Sequence, residues 1–100
     1  MKNFRTFNLA VEFYRSTKTL PLTGNSKEQL KRASLSIPLN LAEGSERHTL
    51  KEKKRFYNIA LGSLREVQAI MLIEALDNTT QFQLLDKLAA HLYNLIKKGT

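Results

Sequence analysis

The sequence predicts an all-α fold, an antiparallel up-and-down four-helix bundle with a kinked second helix, built as a single domain over residues 1–100. Three observations point there. Apolar residues recur three and four apart along most of the chain, as one face of a helix requires. Ser26 with Gln29, Thr49 with Glu52, and Asn78 with Gln81 each set a Ser, Thr or Asn three residues ahead of a Glu or Gln, the pattern by which a helix start satisfies its free N–H groups. Glycine and proline number only 4 and 2, too few for a turn-rich β architecture.

The first helix carries Phe4, Phe7, Val11 and Tyr14 on one face and ends near Leu20-Pro21, where proline restricts the residue before it and supplies no N–H. Thr23-Gly24-Asn25 reads as a turn. Ser26 and Gln29 form the first capping pattern and open a second helix with Leu30, Ala33, Ile37 and Leu41 inward, closing at Gly44 or Ser45. Pro38 falls inside it and predicts the kink, because its ring removes the bond to Ser34. Thr49 and Glu52 open the third helix, with Phe56, Ile59, Ala60, Ser63, Val67, Ile70 and Met71 as its inner face. Asn78 and Gln81 open the fourth, which carries Phe82, Leu85, Ala89, Leu92 and Ile96 and stops at Lys97-Lys98-Gly99. Short links between such helices call for antiparallel neighbours.

Composition narrows the function. Apolar residues at 42% suffice for a core, and the absence of cysteine excludes disulfides, thiolate metal sites and Cys nucleophiles. The start Met1-Lys2-Asn3-Phe4 has no apolar signal core and no apolar run approaches membrane-spanning length, so a cytoplasmic protein without a membrane partner is expected. The net charge is +7. Residues 1–58 hold twelve basic and five acidic side chains, whereas residues 59–100 hold four of each, so the excess lies wholly in the first half. Up-down topology gathers Lys2, Arg5, Arg47, Lys51, Lys53, Lys54, Arg55, Lys97 and Lys98 at one end, against Glu43, Glu46 and Glu52. Such a one-ended cluster suits a polyanion, RNA or DNA, held by phosphate contacts with little base reading. Tyr57 is the nearest aromatic candidate outside the expected core face.

Further apolar residues point away from the expected inner faces: Leu9, Phe13 and Leu20 on the first helix, Leu35, Leu39 and Ala42 on the second, and Tyr57, Leu61 and Leu72 on the third. Such stripes suggest subunit contacts, with Leu9, Phe13, Leu35, Leu39, Ala42 and Leu61 as the interface of a homo-oligomer. Asn40, Glu43, Ser63 and Glu66 share one sector at the edge of the apolar faces and read as a polar network fixing helix register or subunit contacts.

No catalytic or metal site is expected, and no cofactor. A di-iron bundle needs Glu-x-x-His on two helices, but His48 and His91 follow Ser45 and Leu88 at that spacing. There is no phosphate-binding G-x-x-x-x-G-K-[ST] loop and no G-x-S-x-G elbow. Gly62-Ser63 lies mid-helix, where small size suits close helix packing.

The stretch Ser36-Ile37-Pro38-Leu39-Asn40-Leu41-Ala42-Glu43-Gly44, followed by Phe56, Ile59-Ala60 and Gly62-Ser63-Leu64-Arg65-Glu66, resembles the four-helix-bundle family of proteins encoded in intervening sequences of bacterial 23S ribosomal RNA genes. Relatives of that family include the accessory variability determinant of diversity-generating retroelements. The resemblance covers nearly the whole chain and implies a four-helix protomer, a ring-shaped homopentamer, no known enzymatic activity and association with nucleic acid. The expected function is a non-enzymatic basic oligomer on the phosphate backbone of RNA or DNA, associated with ribosomal RNA or a nucleoprotein. The alternative is a protein–protein scaffold with a protein client, for example a reverse-transcriptase partner.

Overall fold

The computed structural model describes residues 4–98; Lys2 and Gly99, named above, lie outside them. The elements are α1 (Arg5–Ser16), a 3₁₀ turn (Thr17–Thr19), α2 (Gly24–Ser45), α3 (Leu50–Ile73) and α4 (Thr80–Lys98), and no strand occurs among the described residues. The helices measure 12, 22, 24 and 19 residues. α1 is the short one, and small hydroxyls add bonds to its last carbonyls. The Ser16 hydroxyl donates to the Phe13 carbonyl and the Thr17 hydroxyl to the Tyr14 carbonyl, both at 2.6 Å, and the chain tightens into the 3₁₀ turn.

α2 packs most extensively on α3, and the α1–α2, α3–α4 and α4–α1 contacts close the circuit. Cross-helix contacts set the antiparallel register: Ser26 with Glu74, Arg32 with Glu66 and Ser36 with Ser63 between α2 and α3, and Arg65 with Tyr93 between α3 and α4. The Gln81 amide donates to the Ser16 carbonyl at 3.2 Å and to the Thr19 hydroxyl at 3.1 Å, tying the start of α4 to the end of α1. The core runs through the expected faces of α2 (Leu30, Ala33, Ile37, Leu41) and, on α4, through Leu85, Leu88, Ala89 and Leu92. Ala10, Ala33 and Ala60 are fully buried, and their small side chains let the helix axes approach closely.

On two helices the inner face differs from the expected one. In α1 the buried stripe is Thr6, Leu9, Ala10 and Phe13, while Phe4 and Phe7 pack at its edge. Leu9, Phe13 and Leu20, expected to face outward, belong to the protomer's own core, so Leu9 and Phe13 cannot serve as subunit contacts. Both stripes have helical period and lie one residue, or 100°, apart. The small Thr6 and Ala10 select the one that neighbouring helices can approach. In α3 the buried stripe is Tyr57, Ala60, Leu64, Val67 and Met71. Tyr57, expected outside, is only 2% exposed, whereas Ile59, expected inside, is 42% exposed.

α2 runs without a break through the buried Pro38. Its start is one turn earlier than the capping pattern implied. Thr23 is the N-cap without a side-chain bond, and Ser26 instead donates to the Glu74 carboxylate. Thr49 caps α3 as expected, its Oγ1 accepting the Glu52 N–H at 3.2 Å. At α4 the capping oxygen is Thr79 Oγ1, which accepts from Phe82 N–H at 3.1 Å, so the cap is one residue past Asn78. α3 ends in a Schellman motif: Leu76 N–H donates to the Met71 carbonyl at 2.7 Å and Ala75 N–H to the Leu72 carbonyl at 3.1 Å. The motif forces Ala75 to φ 58°, a position glycine usually fills.

Candidate nucleic-acid interface

The last layer of the core at one end is Tyr57 with Phe4, ring centroids 6.2 Å apart in an edge contact. Gly44 closes that layer from α2, since a Cβ there would lie 2.6 Å from Tyr57 Cε1. Desolvation holds the Tyr57 phenol above its ordinary pKa. Tyr57 is also the first buried residue of α3, two turns into the helix. The α2–α3 hairpin therefore extends roughly 10 Å beyond the level of Tyr57.

This projecting tip carries Arg47, Lys51, Lys53, Lys54 and Arg55 against Glu43, Glu46 and Glu52. Local structure sorts them. Lys53 Nζ donates to the Ser45 carbonyl at 3.1 Å and so satisfies an unpaired acceptor at the end of α2. Arg47 pairs with Glu43 one turn back, and its guanidinium carbon lies 4.7 Å from the Phe56 ring centroid. Arg55 lies 5.2 Å from the same centroid and 4.0 Å from Glu52. Phe56 is thus flanked by two guanidiniums, and it, not the buried Tyr57, is the aromatic group of the basic end. Lys51 and Lys54 make no ion pair among the described residues.

The remaining basic residues lie lower. Arg5 opens α1 beside Phe4. The α3–α4 register through Arg65 and Tyr93, carried on to Lys98, sets Lys97 and Lys98 level with Ala60 rather than with the tip. The expected cluster therefore divides into a projecting group from residues 47–55 and a flanking group of Arg5, Lys97 and Lys98.

The polar sector divides too. Ser36 and Ser63 hydroxyls meet at 2.8 Å across α2 and α3, and the Asn40 amide donates to Ser36 Oγ at 3.0 Å and to the Ser36 carbonyl at 2.9 Å. Glu66 pairs with Arg32 on the facing helix. Glu43 stays on its own helix with Arg47, its side chain 53% exposed. Ser36 and Arg32 are the members that sequence reasoning missed. The signal for them was the i, i+4 polar row Arg32–Ser36–Asn40 along the edge of α2. Of the expected subunit contacts, Leu35 and Leu39 are exposed, Leu39 at 58%, and Ala42 and Leu61 are half-buried. Gly62 has no atom within 4 Å of where a Cβ would stand, so within the protomer it does not serve close helix packing.

Fold and site together define a class: an all-α antiparallel four-helix bundle whose central hairpin ends in a basic tip. The family model of the 23S rRNA-intervening sequence protein matches residues 4–98, and the chain belongs to that family. No curated protein and no solved structure matches the chain. No helix among the described residues is long and apolar enough to cross a membrane.

Proposed function

We propose that the chain is a non-enzymatic, oligomeric protein that binds RNA or DNA through the phosphate backbone, in association with ribosomal RNA or a nucleoprotein. The observation that carries this reading is the projecting hairpin tip, where Lys51 and Lys54 have no ion-pair partner among the described residues and Arg47 and Arg55 bracket Phe56. Ammonium groups on a protruding hairpin reach phosphates without base contacts, which position a nucleic acid but do not read it. The family's description, with its reference to 23S rRNA, supports an RNA partner.

The test is binding to duplex and single-stranded RNA and DNA across a salt series. Affinity should fall linearly on a log–log plot, by about 0.9 per phosphate contact on duplex DNA and about 0.7 on single strands. Lys51→Glu with Lys54→Glu should weaken binding and flatten that slope, whereas Arg15→Glu with Lys87→Glu, which change the net charge equally, should leave the slope unchanged. Lys53 stays untouched because it caps α2. Equal losses from both pairs would mean diffuse attraction, and no binding at low salt would leave the scaffold reading.

Self-association completes the proposal. Leu35 and Leu39 lie one turn apart on the outer side of α2, and Ile59 is exposed on α3, an apolar surface that a second copy would cover. The pentamer is the stoichiometry that the resemblance implies. Sedimentation should return five protomers for the parent and a smaller species for Leu39→Glu. A parent that sediments as a monomer at micromolar concentration overturns it.

A further inference from the structure

The opposite end of the bundle carries a second feature, a cleft of about 200 Å³ between the end of α1 and the first turns of α2. Its floor is Leu20, Leu22 and Leu30, all core residues. The floor is pre-formed by the backbone. Leu22 N–H donates to the Leu20 carbonyl at 2.9 Å, a γ-turn around Pro21 whose ring fixes φ, so both leucines turn inward while Pro21 stays exposed. The rim is Lys18, Lys27 and Lys31. Lys18 Nζ donates to the Tyr14 phenol oxygen at 3.2 Å and sits 4.6 Å from the ring centroid, which holds that ammonium at the cleft wall. None of the three lysines forms an ion pair among the described residues, and no carboxylate lines the cleft.

We propose that this cleft binds a small amphiphilic anion, with its apolar body on the leucine floor and its carboxylate or phosphate among the three ammonium groups. Charge complementarity selects the head group, because three lysines and no carboxylate line the opening. The apolar floor selects the body, because inorganic phosphate would make no use of the leucine edges that line the cleft. The volume sets the size, since drug-sized ligands take sites of roughly 300–1,000 Å³. This site is separate from the hairpin tip and does not depend on nucleic-acid binding.

The experiment is a titration of the full chain followed by amide chemical shifts, with octanoate, octyl phosphate, octanol and inorganic phosphate as probes. Octanoate or octyl phosphate should saturate shifts at Leu20, Leu22 and Leu30 and bind at least about tenfold tighter than octanol or phosphate, as one charge-assisted contact supplies. Lys27→Gln with Lys31→Gln should lose that advantage and keep the octanol affinity, whereas Lys51→Gln with Lys54→Gln should change neither. Should the double variant melt early, Lys31→Gln alone is expected to give the same trend. The proposal is overturned if octanol binds as well as the anions, if the lysine variants retain parental octanoate affinity, or if the shifts fall instead on Leu39 and Ile73.

Discussion

Alanine at Gly44 and, separately, at Gly62 places the same methyl group inside two neighbouring helices, and the structure assigns the two substitutions different outcomes. Both remove the helix penalty of glycine, about 1 kcal/mol. At Gly62 that gain stands alone, because the new Cβ meets nothing within 4 Å. At Gly44 the Cβ would lie 2.6 Å from Tyr57 Cε1, 2.9 Å from Cδ1 and 3.1 Å from the Phe56 Cβ. Tyr57 cannot swing aside, since it is buried and meets Phe4 edge-on. Forcing a methyl into such packing costs about 1–3 kcal/mol. Gly62→Ala should therefore stabilise, Gly44→Ala should be neutral to destabilising, and the two should differ by about 1–3 kcal/mol. For a domain of this size each kcal/mol moves the melting midpoint by about 4–8 °C. Thermal and urea melts of both variants at one fixed protein concentration read the difference, the concentration being held because assembly would shift the midpoint. Gly44→Ala combined with Tyr57→Leu should recover part of the loss. Equal midpoint shifts for both glycines would refute the close approach assigned to Gly44.

Ala75, held at φ 58°, should favour glycine: Ala75→Gly is expected to raise stability by about 0.5–1 kcal/mol, the left-handed strain relieved less the unfolded-state entropy gained, and an unchanged urea midpoint would contradict this. Ser63→Ala, which leaves Ser36 Oγ without its cross-helix partner, should cost about 1 kcal/mol; Glu43→Ala, on an exposed pair, should stay within about 0.5 kcal/mol, so a larger loss at Glu43 would reverse the ranking. Burial raises the Tyr57 pKa, so the folded state holds that proton longer than the unfolded chain. Its contribution is complete below the ordinary value of 10.0 and is lost as pH rises through the higher folded value. Stability should then fall more steeply above pH 10 in the parent than in Tyr57→Phe, and parallel profiles would exclude Tyr57 as the cause.

The number of helices, the inner face of α2, most of that of α4, the Thr49 cap and the concentration of positive charge in the first half were legible from the residues alone. Each rests on local information: a period, a capping oxygen, a count. In α1 and α3 that information was ambiguous. Phe7–Val11–Tyr14 and Thr6–Ala10–Phe13 satisfy the same period 100° apart, and the choice between them depends on which side α2 and α4 can approach. The same holds for side chains with several possible partners. Glu43 and Glu66 look alike in sequence, yet only Glu66 reaches a facing helix, because antiparallel register puts Arg32 opposite it. Sequence alone thus determined which segments are helical and where the charge excess lies. Only the tertiary structure decided that Tyr57 closes the core while Phe56 carries two arginines, and that three lysines line one cleft with Leu20, Leu22 and Leu30. Cross-helix register and close approach are properties of the packed bundle, and no single segment encodes them.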